Sequence, residues 1–356
     1  MSFASIQDLA PLVNQKEFAD AVAQEIKEKS RFIRAGIATS DPVIASKCVN
    51  MTGKTVELPF WNALGGSTVL DEEVMEEGQE PEIDGITMGQ DEAVKTIRIK
   101  AWGANDLAGI LSAADPLAVI RSSIAEWKIR AAERKLFATL DGVFALDAMG
   151  VLTLDLTKST VEEDQFLGKH TFGRAAQLLG ERKTGLDCIV CHSEVEQYLQ
   201  EIDTDTKLYV PSQAGATLPS YNGRQLITDD ACKTDQTRTA GGTVGSVSDV
   251  AEIFMFGKGA VAYNDCPSAD LIPFEAGRNI LGSQNLVVTR SADIMHLRGV
   301  KWTGTSFATA TYGGDGKNKD KHPNTPRNVD LAESGNWQMV YPKEYIRAVK
   351  IIARIG

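Results

Sequence analysis

No stretch of this chain approaches the roughly 18 consecutive apolar residues that a membrane-spanning helix requires, so no membrane partner is expected. The N-terminus, MSFASIQDLAPLV, lacks a basic region followed by an apolar run, so no export signal is read there. Cysteine is scarce: Cys48, Cys188, Cys191, Cys232 and Cys266 are five in number, scattered, and cannot all pair with one another. That count argues against a disulfide framework and predicts reduced thiols in a cytoplasm. The four histidines (His170, His192, His296, His322) show no metal-ligand spacing, so no metal is expected. No GxSxG elbow and no internal repeat occur. From Thr55 to Val94 there is no Lys or Arg at all.

What is present is ordinary for a folded protein: 356 residues, 43% hydrophobic and 24% charged. Single cores stop growing at about 250 to 300 residues, so two main lobes with appendages are expected. The net charge of -11 is localised. The stretch without cations carries Glu57, Asp71, Glu72, Glu73, Glu76, Glu77, Glu80, Glu82, Asp84, Asp91 and Glu92, and the other 37 acidic residues equal the 37 basic ones. Such a run is either a solvated loop or an arm that docks on a basic surface.

Asn14 and Glu17 resemble a helix-opening capping pair, and Phe18, Val22, Ile26 and Ile33 recur near helical spacing. Gly36, Ser40, Asp41 and Pro42 break that amphipathic helix. Two β-rich runs, Thr55 to Trp61 and Val94 to Trp102, flank the acidic stretch. Gly65, Gly66, Gly78, Pro81, Gly85 and Gly89 between them exclude a compact helix, so the reading is a two-stranded arm with an irregular acidic tip. An isolated ribbon is marginal in water and should rest on something else.

Asp115 and Pro116 open a helix to about Leu140, because proline at the first helical position loses no hydrogen bond there. Leu117, Ile120, Ile124, Trp127 and Ala131 form its apolar face, and Arg121, Lys128, Arg130, Arg134 and Lys135 a basic remainder, with Gly142 as terminator. A helix is expected from Phe166 to Glu181, a buried strand from Leu186 to Cys191, and a helix capped by Ser193 and Glu196. Strands follow at Arg224 to Thr228, Ala251 to Phe256, Ala260 to Tyr263, across Leu286 to Thr303 as one strand or two, and at Trp337 to Tyr341 and Tyr345 to Ile355. The breaker-rich, locally basic segment from Tyr312 to Asn328 reads as a loop.

Three motifs carry a chemical suggestion. Cys188, Cys191 and His192 spell CxxCH, the pattern of covalent haem attachment, but they fall on a strand in a chain without an export signal. Gly53, Lys54 and Thr55 echo the end of a phosphate-binding loop, yet Cys48 replaces its leading glycine and a strand follows where a helix is needed. Asp315 to Asp320 has a calcium-loop flavour, but Pro326 stands where a bidentate carboxylate belongs. No catalytic constellation is recognised, and neither an enzymatic activity nor a cofactor is expected.

The order of elements, with SRFIRAGIATSDP (Ser30 to Pro42), GKTVELPFWNALGG (Gly53 to Gly66) and EIFMFGKGAVAY (Glu252 to Tyr263), resembles the major capsid proteins of tailed double-stranded DNA bacteriophages. The resemblance implies an α+β Hong Kong 97-like fold: an N-terminal arm (residues 1–50), an extended β loop (51–100), a peripheral domain with a long spine helix (101–165 and 283–356) and an axial domain (166–282). It implies a structural subunit of an icosahedral capsid, self-assembling as hexamers and pentamers in the host bacterial cytoplasm and enclosing double-stranded DNA without sequence recognition. The portal is an implied partner, and the short arm implies a separate scaffolding protein. Isopeptide crosslinking through an extended-loop lysine is not expected, because no lysine stands between Lys54 and Lys95. The subunit interface would join Asp71, Glu72, Glu73, Glu76 and Glu77 of one copy to Arg121, Lys128, Arg130, Arg134 and Lys135 of the next. An encapsulin-type compartment shares the fold, and a cytoplasmic α/β enzyme is the reading from another class.

Overall fold

The computed structural model describes residues 30–49, 54–62, 86–105, 116–202, 220–232, 234–235, 249–266, 271–279, 284–305 and 325–355. The amphipathic helix expected from Asn14, the acidic tip with Asp71 to Glu77, and the Asp315 to Asp320 segment lie outside the described residues, as do the side chains of Leu117, Ile120 and Arg121.

In chain order, α1 (Arg31–Arg34) and β1 (Ala38–Thr39) lead into α2 (Pro42–Val49). Then come β2 (Thr55–Trp61), β3 (Met88–Asn105) and the long helix α3 (Pro116–Phe144). β4 (Thr153–Asp155), α4 (Thr171–Ala176), β5 (Cys188–Cys191) and α5 (Ser193–Ile202) follow. β6 (Ser220–Tyr221), β7 (Arg224–Thr228), β8 (Thr234–Asp235), β9 (Asp249–Phe256) and β10 (Val261–Asp265) come next. The last part holds β11 (Phe274–Asn279), β12 (Gln284–Leu297), β13 (Val300–Trp302), α6 (Asn328–Leu331), β14 (Trp337–Met339) and β15 (Ala348–Ile355).

Two sheets carry the chain. The first runs β1-β10-β12-β3-β2, with β11 also on β12; the second runs β4-β15-β9-β5-β7-β6, with β8 on β9. β13 and β14 form a separate pair. The second sheet is built from apolar runs such as CIVC in β5, all four residues of which are buried. Runs of this kind, without polar alternation, suit strands covered on both faces.

α3 joins the sheets. At 1.5 Å per residue its 29 residues span about 44 Å. Near its start Trp127 meets Trp102 of β3 edge-on, with ring centroids 5.0 Å apart; near its end Phe137 and Phe144 pack on Phe254 of β9 at 6.2 and 5.7 Å. The buried stripe is Ile124, Ala125, Ile129, Leu136, Leu140 and Val143. The expected face was therefore rotated: Ile124 belongs to the stripe, while Trp127 sits at its exposed edge. Gly142 does not end the helix. A Cβ there would lie 2.1 Å from the Leu331 carbonyl oxygen and 2.8 Å from Trp337 Nε1, so glycine lets α6 and β14 pack directly on α3.

β3 changes which face it buries. Its first half pairs with β2, from Thr55↔Val94 to Trp61↔Met88, and its second half with β12, from Ile294↔Lys95 to Gln284↔Asn105. Side chains on a strand alternate between faces. Gly89, Asp91 and Ala93 turn inward in the ribbon, whereas beyond Thr96 the even positions Arg98 and Trp102 are the more covered. Between the halves, Ala93, Val94, Lys95 and Thr96 are all buried. This strand starts at Met88, six positions before the expected Val94, because β2 holds those residues in the ribbon.

Other expectations are corrected. The helix expected from Phe166 is only α4, followed by 3-10 turns through Gly185 that kink at Gly180 (φ 60°). Of the two readings left open for Leu286 to Arg290 and Ile294 to Thr303, two strands are found, β12 and β13, but the break falls at a turn with Gly299 at φ 94° and not between Arg290 and Ile294. Cys48 and Cys266 are joined by a disulfide, so not all five thiols are free. A separation of 218 residues hid that pairing from the sequence.

Candidate subunit interface

The ribbon of β2 and β3 is anchored at its root by buried polar pairs. Asp91 Oδ1 lies 3.0 Å from His296 Nε2, and the Gly299 N–H donates to Asp91 Oδ2 at 3.0 Å. Both side chains are sealed from solvent, where an unpaired carboxylate would cost several kcal/mol. Lys301 pairs with Glu92 at 3.3 Å, and the Lys47 ammonium donates to the Glu57 carbonyl at 2.5 Å. Two of the acidic residues of the cation-free stretch, Asp91 and Glu92, are thus engaged within their own chain.

Along the ribbon the inner face carries Val56, Leu58 and Phe60, and the Phe60 ring meets Tyr341 at 4.3 Å. Gly89 opposes Phe60, and a Cβ there would lie 2.3 Å from that ring, so the glycine read as a breaker seats an aromatic. The other face is open. Trp61 and Met88, paired across the strands, are 70% and 63% exposed, and Ile86 is exposed beside them.

A second open apolar surface lies on the first sheet. Opposite the side covered by α3, Ile97, Ile99 (68% exposed) and Ala101 share a face with Leu286 and Val288, each paired across from that row on β12. A Glu275–Arg290 ion pair at 2.9 Å stands on the same face. Large exposed apolar side chains gathered on one face mark interaction surfaces. Alternation along the strand puts Ile97, Ile99 and Ala101 in one row, but the sequence does not say which side α3 covers.

The expected basic face of α3 divides. Arg130 and Arg134 are exposed. Lys128 reaches over the Phe274 ring, 4.5 Å from its centroid, and burial lowers its pKa against the opposing pull of Asp265 and Asp293. Lys135 is turned inward at 5% exposure, where it bonds Asp293 and donates to Thr96 Oγ1 at 2.8 Å. Thr96 Oγ1 in turn donates to Asp293 at 2.5 Å. Breaking such a buried pair costs about 3 to 5 kcal/mol. Lys135 is therefore part of the joint between α3 and the first sheet and drops out of the exposed cationic surface.

The CxxCH residues have structural work. Cys188 and Cys191 are buried in β5, and burial pushes both thiols up, Cys188 to about 11. His192 Nδ1 accepts from the Glu194 N–H at 3.2 Å, capping α5. Glu196 accepts from the Thr228 hydroxyl at 2.6 Å, tying α5 to β7. Among the described residues no group of three or more His, Cys, Asp or Glu converges as a metal site. No helix among the described residues is long and apolar enough to cross a membrane.

No family model matches the chain. Over 363 residues, covering 100% of this chain and 99% of the relative, it is 31% identical to the major capsid protein of Bacillus phage SPP1. Among solved structures it is similar to the capsid of Ralstonia phage GP4, with a TM-score of 0.55 and 13% identity over 76% of this chain and 87% of that one. The head structure of Helicobacter pylori bacteriophage KHP40 matches over 92% of this chain and 91% of that chain, with 10% identity and a TM-score of 0.49.

Proposed function

The chain belongs to the major capsid proteins of bacteriophages and is a structural component of the virion, and from that premise we propose how it builds the shell. Subunits gather as hexamers and pentamers around packaged double-stranded DNA, with the portal and a separate scaffolding protein as partners, in the cytoplasm of the host. The shell holds DNA without reading its sequence, since a net charge of -11 opposes tight phosphate binding. The chain acts without catalysis, as a building block.

The observation that carries this reading is identity along the whole length of a capsid protein. The domain plan follows it: arm at 1–50, extended loop at 51–100, peripheral domain with α3 as spine, and axial domain on the second sheet. Sheet pairing favours one adjustment, because β4 and β15 bond to the second sheet and go with the axial domain, while β10 and β11 pair with β12 and go with the peripheral one.

At the interface, the ribbon of one copy lies on its neighbour. Trp61, Ile86 and Met88 supply apolar contact, each large side chain contributing about 1.5 to 3 kcal/mol when buried. The acidic residues Asp71, Glu72, Glu73, Glu76 and Glu77 face the neighbour's Arg130 and Arg134, or its Lys317, Lys319 and Lys321, while the nearby Arg327 is held by Asp330 of its own chain at 3.1 Å. Exposed ion pairs contribute only about 0 to 1 kcal/mol each, so the acidic tip steers and sets register more than it holds.

Co-expression with the scaffolding protein, followed by electron microscopy, tests the function: closed shells are expected, and a strictly monomeric or dimeric product would overturn it. DNA inside native particles separates this reading from a nanocompartment, which would hold a protein cargo instead. Replacing Glu72, Glu73, Glu76 and Glu77 together with Gln should slow assembly and flatten its salt dependence while leaving the fold intact. A quadruple variant with wild-type rate and wild-type salt response would reduce the acidic tip to a solvated loop.

A further inference from the structure

Cys48 stands near the end of α2, and Cys266 directly follows β10; their Cα atoms are 4.9 Å apart and the sulfurs are joined. The pair sits in the smaller of two apolar clusters, among Ile44, Val56, Ala93, Ala262 and Ile294. That cluster fastens the root of the ribbon to the first sheet, since α2 ends at Val49 and β2 begins at Thr55. The other three cysteines are buried and unbridged; Cys48 and Cys266 are equally buried, and it is their closeness to one another that singles them out.

We propose that Cys48 and Cys266 form a redox-timed staple, a dithiol while subunits are made and assembled and a disulfide once the shell meets an oxidising medium. The inference rests on the capsid reading above. A bacterial cytoplasm keeps thiols reduced, whereas a released particle persists outside it. During assembly the ribbon root is then held by apolar contact and the Asp91–His296 pair, free to settle into register on a neighbour. Afterwards one covalent bond fixes it, closing a loop of 218 residues, and long loops lose the most unfolded-state entropy when closed.

The chemistry balances with a small-molecule disulfide as oxidant. One cysteine loses its proton, and its thiolate attacks a sulfur of that disulfide, expelling one small thiolate. The other cysteine, deprotonated in turn, attacks the mixed disulfide and expels the second. Two electrons pass from the protein sulfurs to the oxidant, and the two protons end on the two released small thiols.

The test uses whole particles assembled with scaffold and purified anaerobically, divided between buffer and oxidised glutathione, then denatured for thiol counting and non-reducing peptide mapping. Five free thiols are expected before oxidation and three after, with a single bridged peptide joining Cys48 to Cys266. The temperature at which oxidised particles come apart should rise by more than about 5 °C. A Cys48→Ser/Cys266→Ser variant should assemble yet show no rise. Three thiols in freshly made anaerobic particles would overturn the timing. Five thiols persisting after oxidation, a bridge through Cys188, Cys191 or Cys232, or an equal rise in the double variant would overturn the staple. If the double variant fails to fold, the wild-type thiol counts and map decide alone. Electron microscopy of the same preparation scores shell formation independently, so failure of the capsid reading is distinguishable from failure of the staple.

Discussion

The two sheets of this protein solve opposite problems. In the second sheet β5 is wholly buried, and Ile253, Phe254, Met255 and Phe256 of β9 and most of β15 are too, so that sheet is finished within one chain. In the first sheet and its ribbon, Trp61, Met88, Ile97 and Ile99 stand in solvent on strands whose other faces are well packed. The contrast locates where one chain stops being sufficient: a large aromatic at 70% exposure is stable only as part of something larger or as a tolerated cost. The largest effect should come from the closed side. Phe254 touches Phe137, Phe144 and Phe256, and Phe254→Ala should cost about 3 to 5 kcal/mol of subunit stability. Chemical denaturation of the unassembled subunit measures it, and a loss under about 1 kcal/mol would erase the distinction between the sheets.

The open side should behave in reverse. A Trp61→Ala/Met88→Ala variant removes no buried contact of the isolated chain, so its denaturation midpoint should stay within about 0.5 kcal/mol of wild type. Assembly should weaken by roughly 3 kcal/mol or more in total, raising the critical concentration at least about a hundredfold. Light scattering against concentration reads this. An unchanged critical concentration would mean the ribbon's apolar face meets solvent in the shell as well.

Parts of both sheets, and the start of the helix that joins them, were legible from local sequence. TVELPFW and RQLIT became β2 and β7 with the expected limits, and Pro116 opened α3, because propensity and turn chemistry there agree with the fold. The order of elements also carried the resemblance to phage capsid proteins, which whole-length identity bears out. What could not be read depended on distant partners. Arg134 and Lys135 are adjacent cations on one helix, yet only Lys135 turns inward, because Asp293 waits 158 residues away. Gly142 looked like a terminator because local rules cannot see Leu331 and Trp337 packing against it. Cys48 had no visible partner until the fold brought α2 beside β10. The exchange of buried faces along β3 was equally hidden, because period-two alternation fixes which residues share a face but not which face meets the core.

The smallest expected effect concerns the helix that joins the two sheets. Glu133 of α3 lines a cleft with Phe32 and Ile33 of α1 and with Tyr263 and Met295 of the first sheet. Burial pushes its carboxyl from 4.5 up to about 7, helped by Asp229 and opposed by Arg31 and Arg130. A folded-state pKa above the unfolded value means that the folded chain holds the proton more tightly, so stability is fully present below about pH 4.5 and is lost as pH rises through about 7. The side chain is only partly buried, which screens the effect to about 1 kcal/mol. Glu133→Gln keeps the shape and removes the titration. The variant should therefore be more stable than wild type at pH 8, with the gap closing as pH falls through 7 and absent near pH 4.5. Urea midpoints of both proteins across that range supply the measurement. A constant gap at every pH would assign the difference to packing in the cleft and leave the joint between the two sheets insensitive to protons.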